Sequence, residues 1–220
     1  MAVVITGNNT PTAGGITYGD GTTYATTTAG TSGQLLQSNG ASAPSWVAAP
    51  SSAMTLISTQ TASNSASIDF TGLSTTYKNY LVLLDWVVPS TEGAQFAMRF
   101  STDNGATFIS TSTYNWADLY GVNPNGGNGT NSFGYLTPGG VASTASLGGL
   151  NATITLYNPN ASAPTMWSVA GVCYDTSVFG ATISFMGGGA QTGANSVNAI
   201  RFLFGAGNIT SGTIKLYGIS

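Results

Sequence analysis

The chain lacks histidine, has a single cysteine and carries very little charge. With no histidine in 220 residues, Ser-His-Asp triads, Cys-His pairs and histidine-ligated metals are excluded. An intrachain disulfide is also impossible, and the position of Cys173 in the apolar run 167–174 predicts a buried thiol. Charged residues make up 5% of the sequence, against a usual level of about 25%. The solvated surface must therefore consist mainly of hydroxyl and amide groups.

Basic residues and long apolar runs are equally scarce. Nucleic-acid backbones are held by clustered Lys and Arg side chains, whereas the basic residues here are scattered singly at Lys78, Arg99, Arg201 and Lys215. Nucleic acid is therefore not expected as a partner. No apolar run approaches the roughly 20 residues of a membrane helix, and the N-terminus lacks the basic segment of a signal peptide. We expect synthesis in a cytoplasm and no membrane insertion.

The acidic residues form no recognisable catalytic or metal-binding motif. A glycosidase needs two carboxylates about 5 to 9.5 Å apart, and no motif pairs any of the seven acids. No Lys-Ser/Thr pair follows the glycine runs, so a phosphate-binding loop is unsupported. Asp and Asn oxygens could hold calcium, but no spaced calcium loop is present, so bound calcium stays open. The sequence predicts no catalytic residues, no metal site and no cofactor.

Residues 1–52 differ in composition from the rest of the chain. Gly, Thr, Ser and Ala dominate this stretch, and its few large apolar residues are too sparse to bury one another within one chain. A flexible linker is one interpretation, although linkers need no tryptophan or paired leucines. The alternative is an extended arm ordered by neighbouring chains. Its candidate contacts in a trimeric shaft are Leu35, Leu36, Trp46 and Val47.

Residues 53–220 show the pattern of an all-β domain. Short β-prone runs alternate with turn residues, and no segment has a sustained helical period. In 93–101, Phe96, Met98 and Phe100 share one face, as in a strand with one side on the core. The predicted strands are 54–60, 66–70, 79–88, 93–101, 105–110, 132–137, 151–157, 165–174, 178–186, 196–204 and 213–219. The nearly continuous apolar runs 79–88 and 196–204 are expected to be covered on both faces, by a second sheet and by a subunit neighbour.

One turn has a specific signature. Asp103-Asn104-Gly105 predicts a tight hairpin turn, because Asn-Gly readily adopts positive φ angles. The octet 101–108 also resembles the Asp-box of sialidases, a turn motif remote from their chemistry. It occurs once here, so only the turn is predicted.

The segment 111–138 is the best candidate for ligand recognition. It is predicted to be a long loop rich in aromatic and amide side chains. Aromatic rings stack on the apolar faces of sugars, and Asn and Asp side chains bind sugar hydroxyls, which suits glycan binding. The alternative is that the rings belong to the core or to a trimer interface. The candidate glycan-binding residues are Tyr114, Trp116, Asp118, Tyr120 and Tyr135.

Two parts of the chain resemble bacteriophage fibre proteins. The sequence of residues 29–47, AGTSGQLLQSNGASAPSWV, resembles a shaft unit that recurs in phage tail-fibre and head-fibre proteins. The matching positions are Gly30, Ser32, Gly33, Gln34, Leu35, Ser38, Asn39, Gly40, Pro44 and Trp46. Residues 197–204 and 207–219 look like the closing strands of the jelly-roll-like β-sandwich tip that often follows such shafts.

This resemblance implies a structural virion protein that is a homotrimer and not an enzyme. A tail fibre would adsorb to a host surface glycan or outer-membrane protein. A head fibre or capsid decoration protein is the alternative. In both cases residues 1–28 would dock onto other virion proteins, with residues 1–52 as arm and shaft and 53–220 as the sandwich head. A cell-derived glycan-binding module would leave the shaft-like unit unexplained.

Overall fold

The computed structural model describes residues 12–50, 53–120, 123–147, 149–177, 179–193 and 196–220, with backbone alone at 120 and 123–130. The chain divides into two compact units, Met1–Ser52 and Ala53–Ser220. The division falls where the composition changes from small polar residues to β-prone runs. No helix among the described residues is long and apolar enough to cross a membrane.

The described part of the N-terminal unit consists of two β-hairpins. The first joins β1 (Thr17–Gly19) to β2 (Tyr24–Thr26), and the second joins β3 (Gln34–Asn39) to β4 (Ser42–Ala48). These hairpins differ from the extended arm that the sequence predicted. They form because both turns have local support. Asp20 accepts hydrogen bonds from the backbone N–H groups of Thr22 and Thr23, and Gly40 supplies a φ of +68°.

Trp46 fastens the segment before β3 onto the second hairpin. Its indole Nε1–H donates to the Thr28 carbonyl oxygen at 2.8 Å, and its ring lies against the backbone at Gly30. A Cβ at Gly30 would lie 2.6 Å from the Trp46 ring, closer than real contacts allow. The shaft-like sequence therefore requires glycine at this position. Leu35 and Leu36 remain 53% and 42% exposed.

The second unit is all-β and contains two antiparallel sheets. Its strands run in the order β5 (Met54–Ser65), β6 (Ile68–Thr71), β7 (Asn79–Pro89), β8 (Phe96–Ser101), β9 (Tyr114–Tyr120), β10 (Asn123–Asn131), β11 (Gly134–Tyr135), β12 (Leu150–Tyr157), β13 (Thr165–Asp175), β14 (Ala181–Gln191), β15 (Ala199–Phe204) and β16 (Ile209–Ile219). One sheet has the strand order β10-β9-β14-β13-β12-β7-β16-β5, and the other β11-β8-β15-β6. Among the described residues the sheets thus hold eight and four strands, unlike the even halves of a jelly roll.

The two sheets pack face to face around one apolar core. Phe96, Met98 and Phe100 of β8 are fully buried, as predicted for the core face, although Ala97 and Ser101 on the opposite face are fully buried as well. Phe100 contacts Trp167 of the larger sheet with 5.9 Å between ring centroids. Cys173 is free and buried, as predicted. The sandwich-like all-β architecture therefore follows from inward-facing residues on both sheets.

Two segments differ from the sequence prediction. Residues 105–110, predicted as a strand, form a loop held to β8 by the Ile109 N–H bond to the Phe100 carbonyl. The predicted long loop 111–138 instead contains β9, β10 and β11. In β9, Tyr114 and Asp118 point inward and are buried while Leu119 is exposed, so the segment does have a strand period. The segment was predicted as a loop because the sequence of β10 is rich in glycine and asparagine.

The Asp103-Asn104-Gly105 turn forms as predicted. Asn104 and Gly105 have φ angles of +59° and +89°. The Asp103 carboxylate accepts hydrogen bonds from the Ser101 hydroxyl at 2.6 Å and from the Thr107 N–H at 2.9 Å. The bonds from Ser101 and Thr107 lower the pKa of Asp103 to about 2. The motif is thus a self-contained turn with its acid already occupied.

The smaller sheet covers the inner face of the larger sheet. No other described part of the second unit covers the outer face of the larger sheet in this way. Leu81 and Leu83 of β7 lie on this outer face, half-buried, while Val82 and Leu84 are buried in the core. The exposed apolar side chains on the outer face are Met54, Leu56, Trp86, Leu119, Tyr157, Met166, Val172 and Met186. Exposed apolar residues are ordinary one at a time, whereas a large patch of them is typical of an interaction surface.

We expect Gly30→Ala to loosen the N-terminal unit, because the added methyl group would displace the Trp46 ring. A cost of about 1 to 3 kcal/mol is typical of such overpacking. The measurement is amide hydrogen exchange of β3 and β4 in the full chain, which should speed up in the variant. Gly19→Ala is the matched control, since a Cβ at Gly19 meets nothing within 4 Å. Equal exchange in both variants would contradict the assigned role of Trp46.

Candidate functional site

Glycines in β14 make room for two large inward-facing groups. Gly189 lies between Trp116 of β9 and Trp167 of β13, and Gly187 lies between Asp118 and Val169 in the next row. A Cβ at Gly189 would collide with the Trp167 ring, and one at Gly187 with the Asp118 carboxylate. The glycine run therefore has a packing function, and it fixes where the aromatic and acidic side chains of β9 lie.

Tyr114, a predicted glycan-binding residue, lies in the core. Its side chain is 0% exposed, and its hydroxyl accepts a hydrogen bond from the Phe100 N–H at 2.9 Å and donates one to the Ile109 carbonyl at 3.1 Å. Burial raises the pKa of Tyr114 to about 12. The ring is therefore unavailable to a ligand at the surface, and its hydroxyl holds the loop after β8 in place.

Asp118 is also inside the sandwich. It is 4% exposed, and neither carboxylate oxygen has a hydrogen-bond partner in the structure. Burial raises the pKa of Asp118 to about 7, because the charged form loses its hydration without gaining a bond. The side chain cannot receive sugar hydroxyls from the surface. Its raised pKa instead predicts a pH-dependent stability.

Trp116 and Tyr135 do come together, at the edge where β11 meets β9. Their rings are edge to face with centroids 5.5 Å apart, and Phe133 follows at 5.8 Å from Tyr135. The Arg99 guanidinium carbon lies 4.0 Å above the centre of the Phe133 ring. All four side chains are half-buried, so each retains some surface. We call this group the aromatic ladder: Trp116, Tyr135, Phe133 and Arg99.

The remaining predicted residue, Tyr120, has its backbone at the end of β9, and its side chain lies outside the described residues. Of the five predicted positions, the structure thus brings Trp116 and Tyr135 together and places Tyr114 and Asp118 in the core. Sequence reasoning did not select Arg99. The alternation in 93–101 contained the signal, since it placed Arg99 on the face opposite Phe96, Met98 and Phe100.

The ladder provides binding surfaces but no catalytic group. Aromatic edges and faces suit the C–H surfaces of sugars, and a guanidinium suits an anionic substituent. No cluster of metal-ligating side chains occurs within the ranges that the structure describes.

Comparisons of the chain with protein-family models, with curated proteins and with solved structures found no match in any of the three. Function must therefore be inferred from these residues.

The raised pKa of Asp118 predicts a pH-dependent stability. The neutral acid is favoured in the folded state, so the stabilisation is complete below the unfolded pKa near 3.8 and is lost as pH rises through about 7. Asp118→Asn keeps the shape and removes the charge. We expect it to raise the melting temperature at pH 8 and to change it much less at pH 4.

Differential scanning fluorimetry of both proteins from pH 4 to 8 measures this effect. Asp85→Asn is the matched control, because Asp85 is exposed and its loss removes the same charge. A gain from Asp118→Asn that is the same at pH 4 and pH 8 would show that Asp118 is not forced to ionise inside the fold.

Proposed function

We propose that this protein is a non-enzymatic structural component of a bacteriophage virion and that it assembles as a homotrimeric fibre. The observation that carries the proposal is the outer face of the larger sheet, which has the character of a subunit interface. The resemblance of residues 29–47 to a fibre shaft unit supports the same conclusion. In the most favoured form the protein is a tail fibre that adsorbs to the host surface.

The outer face is continuous across seven strands because the strand register aligns its residues in rows. One row consists of Leu56, Tyr217, Leu81, Thr155, Ser168, Gly188 and Ala117, and the next of Thr59, Lys215, Leu83, Thr153, Ala170, Met186 and Leu119. In the first row the large side chains lie on β5, β16 and β7 and the small ones on β12, β13, β14 and β9, whereas the second row has large apolar side chains on β7, β14 and β9. Such a surface can interdigitate with a neighbouring chain.

The size and charge of this face also suit a subunit contact. Seven strands about 4.8 Å apart, with rows about 6.8 Å apart, give a patch of roughly 30 by 20 Å. That is of the same order as the about 800 Å² per partner of a stable protein interface. Asp85 and Lys215 are the charged side chains among its described residues. Interface centres are likewise depleted of charge.

Trp86 adds a feature typical of interfaces. It is 50% exposed and has a φ of +55°, which is rare for a bulky residue. It lies at a bulge between the buried residues Leu84 and Val87, so it points to the outer face with Asp85. The Asn151 side-chain oxygen accepts the Trp86 N–H bond at 2.9 Å and holds this conformation. Strained backbone and exposed tryptophan are both common where proteins bind partners.

The N-terminal unit supports a trimer in the same way. Leu35 and Leu36 occupy neighbouring positions of β3 and so point to opposite faces of the hairpin, and both are exposed. Neighbouring chains in a shaft would cover them, along with Val47, the cross-strand partner of Leu35. Trp46, by contrast, packs against Gly30 of its own chain.

Adsorption by a tail fibre would be multivalent. Several weak sites on one particle raise the apparent affinity by roughly 10² to 10⁴ without any new contact. The aromatic ladder is the surface offered for a host glycan. A head fibre or capsid decoration protein shares the same assembly and differs in where the N-terminal residues dock.

Charge on the outer face should prevent assembly. We expect wild-type protein to sediment as a trimer of its 22.2 kDa chains, and Met166→Glu with Met186→Glu to shift it to the monomer, because carboxylates would be buried at the contact. Both methionines are more than half exposed, so the monomer itself should stay folded. Leu147→Glu, at an exposed position outside the sheets, is the control. A trimer that survives the double variant would contradict this interface.

The location of the protein tests the virion role. A tag at the exposed Ser220 should appear at the tail in cryo-electron micrographs of intact particles. Label on the capsid would replace the tail fibre by a head fibre or decoration protein. Particles without label, from cells that make the tagged protein at normal levels, would refute both.

A further inference from the structure

The outer surface of the smaller sheet concentrates two of the four basic residues of the chain. Arg99 of β8 and Arg201 of β15 are direct cross-strand partners, and Asp69 of β6 is the next residue in the same row. Directly opposed residues share a face and lie roughly 4.5 to 5.5 Å apart at their Cα atoms. Since Phe100 and Phe202 are buried on the inner face, the two arginines point away from the core.

The Arg201 guanidinium is bonded to an acid and stacked on an aromatic ring. Its Nε and Nη2 atoms donate to the two carboxylate oxygens of Asp69 at 2.8 and 2.7 Å. Its guanidinium carbon lies 4.0 Å above the Phe108 ring. The hydrogen bonds to Asp69 raise the pKa of Arg201, as expected for a bidentate pair. Asp69 is therefore occupied by Arg201.

Among the described residues, Arg99 forms no ion pair of the kind that Arg201 makes with Asp69. It lies 4.0 Å above the Phe133 ring, and its Nε–H donates to the Ser132 carbonyl at 3.0 Å. The N–H groups on its two terminal nitrogens have no hydrogen-bond partner among the described residues. The Asp103 carboxylate, which follows the same strand, is bonded within its own turn to Ser101 and Thr107. Phe133 and Ser132 thus fix the Arg99 guanidinium in place, and its two terminal nitrogens are left to donate hydrogen bonds to a ligand.

This placement has a cost that packing alone does not explain. Two like charges directly opposite each other on neighbouring strands destabilise a sheet. Asp69 is the one acid in the row and neutralises one of the two arginines. The row therefore keeps one excess positive charge, in a chain whose net charge is −3. An uncharged side chain at residue 99 would avoid the repulsion. The stacked guanidinium is, however, well suited to binding a carboxylate through paired N–H bonds.

We propose that Arg99 and the aromatic ladder form a binding site for an acidic sugar. The carboxylate of a uronic or sialic acid residue accepts paired hydrogen bonds from the terminal nitrogens of Arg99. The C–H face of the same or the adjoining sugar packs on Tyr135 and Trp116, which continue the ladder from Phe133. The site deepens the proposed adsorption role, on which its biological meaning rests. Its ligand class follows from the guanidinium.

The test is binding of purified full-length protein to three acidic oligosaccharides, containing galacturonate, glucuronate or sialic acid, by isothermal titration calorimetry. The matched probes are the same oligosaccharides with their carboxyl groups reduced to alcohols. We expect at least one acidic probe to bind and its reduced form to bind at least tenfold more weakly. Binding should also weaken as salt is raised, because an exposed ion pair is screened.

Variants separate the site from general charge effects. Arg99→Gln should weaken binding at least tenfold, and Arg99→Lys should lose part of it, because lysine keeps the charge without the planar fork. Lys78→Gln removes the same charge at an exposed position outside the strands and should bind as wild type. Unchanged melting of Arg99→Gln shows that it is folded. Failure of all three acidic probes, or equal binding by Arg99→Gln, would overturn the proposal.

These outcomes are independent of the virion role. Binding by the purified protein without label on particles would keep the acidic-sugar site and refute the fibre. Label on particles without binding of any acidic probe would keep the fibre and refute the site.

Discussion

Within the described residues a four-stranded sheet packs on one face of an eight-stranded sheet, and most features of this protein follow from that mismatch. The smaller sheet covers the inner face of the larger sheet with phenylalanine rings from β8 and β15. At one end of this face, β11 of the smaller sheet contacts β9 and β14 but is only two residues long. Large side chains that lie across the glycines of β14 fill the remaining space there. The outer face has no equivalent cover within the described residues of its unit.

The glycine run of β14 shows how the inner face is completed. Gly187 and Gly189 would be poor choices in a strand by propensity alone, since glycine loses much entropy on folding. Their hydrogens leave space for the Trp167 ring and for Asp118, which come from the strands on either side. Among the described residues, this packing leaves the Asp118 oxygens and the indole nitrogens of Trp116 and Trp167 buried without partners. The edge of the sandwich is therefore filled in volume but not in hydrogen bonding.

Sequence patterns predicted the features that depend on one strand at a time. Alternation in 93–101 correctly placed Phe96, Met98 and Phe100 inside, and the Asn104-Gly105 turn was recognised from residue types whose backbone preferences are local. The all-β class followed from the same reasoning. The position of Cys173 was also predicted, because a thiol in an apolar run has few alternatives to burial.

What the sequence did not predict depends on pairing between distant strands. Tyr114 and Trp116 look equivalent in sequence, yet one lies at the centre of the core and the other at its edge. The difference is set by Gly189 and Trp167, more than fifty residues away in the chain. Likewise, nothing near residue 99 indicates that it will face residue 201. Register between remote strands is a property of the whole fold.

Scarcity of charge gives the few charged residues unusual weight. In a protein with a typical surface, a row of Arg99, Arg201 and Asp69 would be one ion pair among many, and its energy would be small. Here four basic residues serve the whole chain, and two of them meet on one face, each stacked on a phenylalanine. The larger sheet, by contrast, keeps its outer face nearly neutral, which favours contact with another chain of the same kind. The two outward surfaces of the sandwich thus have different chemistry: one suits assembly through apolar contact, and the other suits recognition of an anion.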